Sequence, residues 1–146
     1  MAIKSDVIEF ARTLIRKDFE ANDRYEEKLD AEGWDGWPPF LSALFFLAVE
    51  RRFQGRYDEA KVIRFVADLR AETVDDASPI DTPSAESLIR AVFDESVQLN
   101  VAPEAMGRIQ TLATYKILAN EDLTDEDIDN LLAEAKEIAE EQASGS

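Results

Sequence analysis

Between Trp37 and Val49 the chain reads WPPFLSALFFLAV, and only Ser42 is polar. On a helix, Phe40, Leu41, Leu44, Phe45, Phe46, Leu47 and Val49 leave no wet face. A helix that is apolar all round is buried, either in a protein core or in a membrane. A bilayer span takes roughly 20 apolar residues, and this run stops well short of that. The expectation is a core helix over about 38–53, with the other helices as its jacket. Pro38 and Pro39 suit the first turn, where a missing N–H costs nothing. Asp35-Gly36 supplies the turn ahead of it.

The remaining periodicity is helical throughout. A first helix is expected from about Asp6 to a stop at Gly33. Asp6 and Glu9 resemble a capping box, and the stripe is Val7, Ile8, Ala11, Leu14, Ile15 and Phe19, thinning through Tyr25 and Leu29. After the core helix the short Gln54-Gly55-Arg56 turn predicts a third helix folded antiparallel onto it, with Val62, Phe65, Val66 and Leu69 inward. Glu72 to Asp81 has no periodicity and reads as a loop. Thr82 then caps a fourth helix, with Pro83 at its first position and a stripe running from Ala85 to Leu99, and Asn100 ends it. Pro103 opens a fifth helix that closes at Asn120. Thr124 and Asp127 form the clearest start signal, ahead of the stripe Ile128, Leu131, Leu132, Ala135, Ile138 and Ala139. No strand-like alternation is present. The fold class expected is all-α, a single-domain bundle of about six helices around the buried central one. It would occupy 1–142, with 143–146 a disordered tail whose Gly145-Ser146 resembles a cloning scar.

The chain has 146 residues, 16 basic and 32 acidic side chains, a net charge of -16, and 45% hydrophobic residues. That length and hydrophobicity support one packed domain. The charge argues against direct binding to nucleic acid or anionic lipid and favours basic partners. Residues 121–142 hold ten acids against Lys136 alone, over half of the net charge. Cysteine and histidine are absent. Disulfide and thiolate chemistry are thereby excluded, and so are the commonest general base and metal ligand. MAIKSDVIEF lacks the apolar core of a signal peptide, so a cytoplasmic location is expected.

Motifs for chemistry are sparse. Asp125, Asp127 and Asp129 have the opening spacing of a calcium loop, but its glycine and bidentate glutamate positions hold Asn130 and Lys136. The same acids favour a helix start. Acidic pairs three apart, Glu20/Asp23, Glu27/Asp30, Glu72/Asp75 and Glu126/Asp129, could hold magnesium if several converged in one cleft. Acids are abundant enough that such pairs arise by chance. No cofactor is implied, and neither a phosphate-cradling glycine pattern nor a nucleophile elbow occurs. Gly55, Tyr57, Ala60 and Ala67 resemble the turn glycine, aromatic and small residues of a tetratricopeptide repeat. Arg64 departs from that pattern and no second copy follows, so an ordinary helix pair is the reading.

Two features point to a partner. Arg51, Arg52, Arg56, Lys61 and Arg64 flank the turn after the core helix, in a chain otherwise dominated by acid. They would dock a carboxylate-rich or phosphorylated protein, or else answer the chain's own acids. Trp34 and Trp37 would anchor an interface, or else pack over the end of the core helix. The function expected is a non-enzymatic protein-binding module, adaptor or regulatory, with Trp34, Trp37, Arg51, Arg52, Arg56 and Arg64 as its contact residues. Its partner would be another protein, basic in overall charge. The alternatives are an acidic mimic of nucleic acid and a magnesium-dependent, all-carboxylate hydrolase.

Overall fold

The computed structural model describes residues 2–73 and 80–144. Seven helices follow in order: α1 (Ser5–Ile15), α2 (Phe19–Glu32), α3 (Trp37–Arg52), α4 (Glu59–Glu72), α5 (Thr82–Phe93), α6 (Pro103–Ala119) and α7 (Asp125–Ser144). No strand occurs among the described residues, and the chain is the all-α bundle its periodicity implies. No helix among them is long and apolar enough to cross a membrane.

The apolar run forms α3, and α3 is the centre of the bundle. Phe40, Leu41, Ala43, Leu44, Phe45, Leu47, Ala48 and Val49 are buried. α6 and α7 pack along α3, and α5 touches it. α1 leans on α6 and α7, and α2 packs on α1. The jacket does not close. Ser42, Phe46 and Glu50, four residues apart and therefore on one edge of the helix, are exposed. Phe46 is 36% exposed. The expectation of a helix without a wet face is corrected here: the surrounding helices leave one edge of it open.

The first expected helix is two helices. α1 stops at Ile15, and the chain turns through Arg16, Lys17 and Asp18. Lys17 is left-handed, with φ 60°. The Lys17 N–H donates to the Leu14 carbonyl at 3.1 Å and the Asp18 N–H to the Thr13 carbonyl at 2.9 Å. This is the Schellman pattern of helix termination, with lysine in the place glycine usually takes. Asp18 then caps α2 by accepting from the Ala21 N–H. Asn22 fastens the hairpin, its amide donating to the Phe10 carbonyl at 2.9 Å and to the Thr13 hydroxyl at 3.2 Å. Two expected start signals also move. α1 has Lys4 at its N-cap without a side-chain cap, and Asp6 instead pairs with Lys28 of α2 at 3.2 Å. α5 is capped by Asp81, one residue ahead of Thr82, through the Ser84 N–H and hydroxyl.

α4 is not folded back along α3. Its main contact is with α5, and it touches α6. α3 ends in a second Schellman turn, with Gln54 and Gly55 both left-handed and the Gly55 N–H donating to the Glu50 carbonyl at 2.8 Å. Asp58 is then extended and caps α4 through the Lys61 N–H. The exit is therefore not a tight helix–helix turn. α5 ends at Phe93 rather than Asn100, leaving Leu99 40% exposed in the connection. Most of the expected loop from Glu72 to Asp81 lies outside the described residues. Asn120 ends α6 as expected. Thr124 and Asp127 cap α7 reciprocally, at 3.1 and 3.3 Å. α7 runs on through Ser144, so the expected tail gives up its first two residues to the helix.

Candidate functional site

Several of the chain's cations are taken by its own acids. Arg12 pairs with Glu9 and with Asp129 of α7, and Arg16 pairs with Asp125, joining α1 to α7. Burial works against the Arg12 charge, yet the hydrogen bonds to Asp129 and Glu9 hold its pKa above the ordinary value. Arg24 pairs with Glu20. The bond to Asp6 raises the Lys28 ammonium in the same way. Arg51 pairs with Glu121 at 2.9 Å and Lys116 with Glu72 at 2.5 Å.

The stretch from Arg52 to Arg64 gathers several cations that are not paired in this way. Arg52, Arg56, Lys61 and Arg64 are exposed and have no acidic partner among the described residues. Arg52 instead lies over the rings of Phe53 and Phe65, 5.3 and 5.9 Å from their centres. Nearby Arg90 donates to the Tyr57 hydroxyl at 3.4 Å, which raises its pKa. Phe93 meets the Tyr57 ring at 6.3 Å, tilted, and the Phe53 ring at 6.4 Å, edge-on, at the same pole. Of the acids near them in sequence, Asp58 is spent on the cap of α4, and neither Glu59 nor Asp68 forms an ion pair with them among the described residues.

Beside the pole, α3, α4 and α6 enclose a cleft of about 650 Å³. Arg51, Arg52 and Lys116 line it together with Asp68, Glu72 and Glu121. Lys116 and Arg52 each stand 5.9 Å from the centre of the Phe65 ring, and Phe65 itself is 3% exposed. Lys61, Phe65, Asp68 and Glu72 recur at helical spacing, so Lys61 continues the same face of α4 toward the turn.

The six contact residues expected from the sequence do not form one patch. Trp37 begins α3 and Arg51 and Arg52 end it, a separation of roughly 20 Å along the helix axis. Trp34 and Trp37 are half-buried in an aromatic cluster, each edge-on to Phe10 at 5.1 Å and 5.9 Å from one another. The Trp34 indole N–H donates to Asp30 at 2.7 Å. They hold the α1–α2 hairpin over the start of α3, which is a packing role. Arg51, Arg52, Arg56 and Arg64 do share the α3–α4 pole.

Exposed acids line the outer sides of α2, at Glu20, Asp23, Glu26, Glu27 and Asp30, and of α7, at Glu126, Asp129, Glu134 and Glu137. They do not merge. A groove between α1 and α2 brings Arg12, Arg16, Arg24 and Lys28 to its walls, so cations interrupt the acidic surface. Among the described residues no three carboxylates gather in an arrangement suited to a metal ion, and the expected acidic pairs find no common cleft there. Asp75 lies outside the described residues.

Sequence reasoning missed Lys116, Glu72 and Glu121 as neighbours of the arginines. They come from α6, the end of α4 and the turn before α7, and nothing in local spacing signals that those segments meet. Comparisons with protein-family models, with curated proteins and with solved structures find no match to this chain.

Proposed function

We propose that the chain is a cytoplasmic, non-enzymatic protein-binding module, and that its contact surface is the basic pole at the α3–α4 turn. One observation carries the reading. In a chain of net charge -16, four cations within one short stretch are left exposed without acidic partners among the described residues, whereas Arg12, Arg16, Arg24, Lys28, Arg51 and Lys116 are paired with the chain's own acids. Exposed arginines beside aromatic rings suit charge-assisted recognition of a carboxylate-rich or phosphorylated segment. The rest of the surface sets a second condition. Its acidic field repels an acidic body at long range and steers toward a basic one. The partner that satisfies both is a protein of basic overall charge carrying a local acidic segment.

The test compares charge reversals. Arg56→Glu, Lys61→Glu and Arg64→Glu together should remove at least nine-tenths of a captured partner, measured by quantitative mass spectrometry after affinity capture. Reversal of Lys4 and Lys17, cations away from the pole, should leave capture unchanged. Equal capture by both variants would defeat the reading.

A second reading, imitation of a nucleic-acid backbone, draws on the exposed acids of α2 and α7. The cation-lined groove between α1 and α2 weighs against it. Its signature would be a nucleic-acid-binding partner displaced by polynucleotide.

A further inference from the structure

We infer that the cleft between α3, α4 and α6 is a binding site for a phosphorylated side chain presented by a partner protein. The ligand class rests on the protein-binding reading above, but the chemistry comes from the cleft itself. Arg52 and Lys116 stand at the same distance from the Phe65 ring, 5.9 Å. Lys116 is neutralised by Glu72, whereas Arg52 has no acid among the described residues. Arg51 stands on the same wall, held by Glu121. Three cations thus line one concave surface with three carboxylates, Asp68, Glu72 and Glu121, and Arg52 is the cation among them without an ion pair.

The arrangement favours phosphate over carboxylate. Arg51 and Lys116 already hold carboxylates, so an incoming carboxylate exchanges like for like. A phosphate monoester brings close to two charges and three strong acceptor oxygens. It can engage Arg52 and still accept from Arg51 or Lys116, with the added strength of charge-assisted bonds. Glu121 and Glu72 are partly exposed, and their side chains can turn to solvent as it enters. The opening suits one side chain better than a nucleotide, because Phe65, the aromatic residue of the lining, is 3% exposed and offers no open face on which a base could stack. The volume, about 650 Å³, falls within the usual range for ligand pockets.

The probes are N-acetyl-phosphoserine amide and N-acetyl-glutamate amide, titrated into the isotope-labelled full chain and followed by NMR. The phosphoserine probe should give saturable shifts at the backbone amides of Arg51, Arg52, Lys116 and Asn120. The glutamate probe should bind at least tenfold more weakly. Lowering the pH from 7 to 5 should weaken the phosphoserine probe as its second ionisation, near pH 6, is lost. The carboxylates facing the probe in the cleft are Asp68, Glu72 and Glu121. Arg52→Gln and Lys116→Gln should each weaken binding at least tenfold. Equal affinity for the two probes, or no saturation at millimolar phosphoserine probe, would overturn the inference, and the wild-type comparison needs no variant to fold. Arg56→Glu with Arg64→Glu should leave the cleft titration within a factor of two, so the cleft and the pole can fail separately.

Discussion

Lys17 offers a test of the α1–α2 break whose outcome differs in sign from that of a continuous helix. In this structure Lys17 has φ 60° and closes α1 through the two hydrogen bonds of a Schellman turn. A side chain with a Cβ costs roughly 1 kcal/mol or more in the left-handed region, and glycine is free of that cost. Within a helix the order reverses, and alanine is better than glycine by roughly 1 kcal/mol. The comparison is therefore Lys17→Gly against Lys17→Ala. Both remove the same charge, so electrostatics cancel between them. The Gly variant should be the more stable by about 1 kcal/mol, a difference of about 3 °C in Tm for a domain of this size. Urea unfolding followed by helical circular dichroism measures it directly. An Ala variant more stable than the Gly variant by about 1 kcal/mol would show an uninterrupted helix and refute the turn.

Three further outcomes are expected. Phe40→Ala should cost about 3–5 kcal/mol, because Phe40 is fully buried and a cavity remains. Phe46→Ala should cost only about 1–2 kcal/mol, since the open edge of α3 leaves no enclosed void; equal costs in denaturant unfolding would mean that the edge is covered, for example by a second copy. The Thr114 hydroxyl is buried on α6 without a hydrogen-bond partner among the described residues, so Thr114→Val should stabilise by about 1 kcal/mol, and a lower unfolding midpoint would contradict that account. The Ser84 hydroxyl and N–H hold the Asp81 carboxyl below the usual carboxylate range, and Arg70 adds attraction. A depressed folded pKa stabilises above the unfolded value, near 3.9, and that stability is lost as pH falls through the lower folded value. The Tm advantage of the wild type over Asp81→Asn should thus be full at pH 6 and shrink below about pH 4; a gap that widens on acidification would reverse the sign.

Part of the candidate surface could be read in the sequence and part could not. The arginines after the apolar run stand out as charges against a strongly acidic background, and sequence proximity alone places Arg51, Arg52, Arg56 and Arg64 at one pole. Whether each is answered by an acid is a long-range matter. Arg51 meets Glu121 from the turn before α7, and Lys116 meets Glu72 across the α4–α6 contact. The tryptophans turn on a similar long-range fact. Trp34 and Trp37 have the composition of an interface anchor, and only the position of Phe10 on α1 shows them packing inside the chain's own hairpin.

By itself the sequence determines most of the helices, the burial of most of the Phe40–Val49 run and the reciprocal cap at Thr124 and Asp127, because these follow from side-chain spacing within a few residues. It does not determine that a lysine ends α1, since the left-handed conformation there is held by backbone hydrogen bonds and is marked by no glycine or proline. Nor does it determine that α4 leaves α3 for α5. Which amphipathic stripe covers which is a choice among apolar surfaces of similar character, and the energy of that choice lies in contacts between segments far apart in the chain. Tertiary packing made that choice, and with it opened one edge of the central helix and brought Lys116 to the arginines.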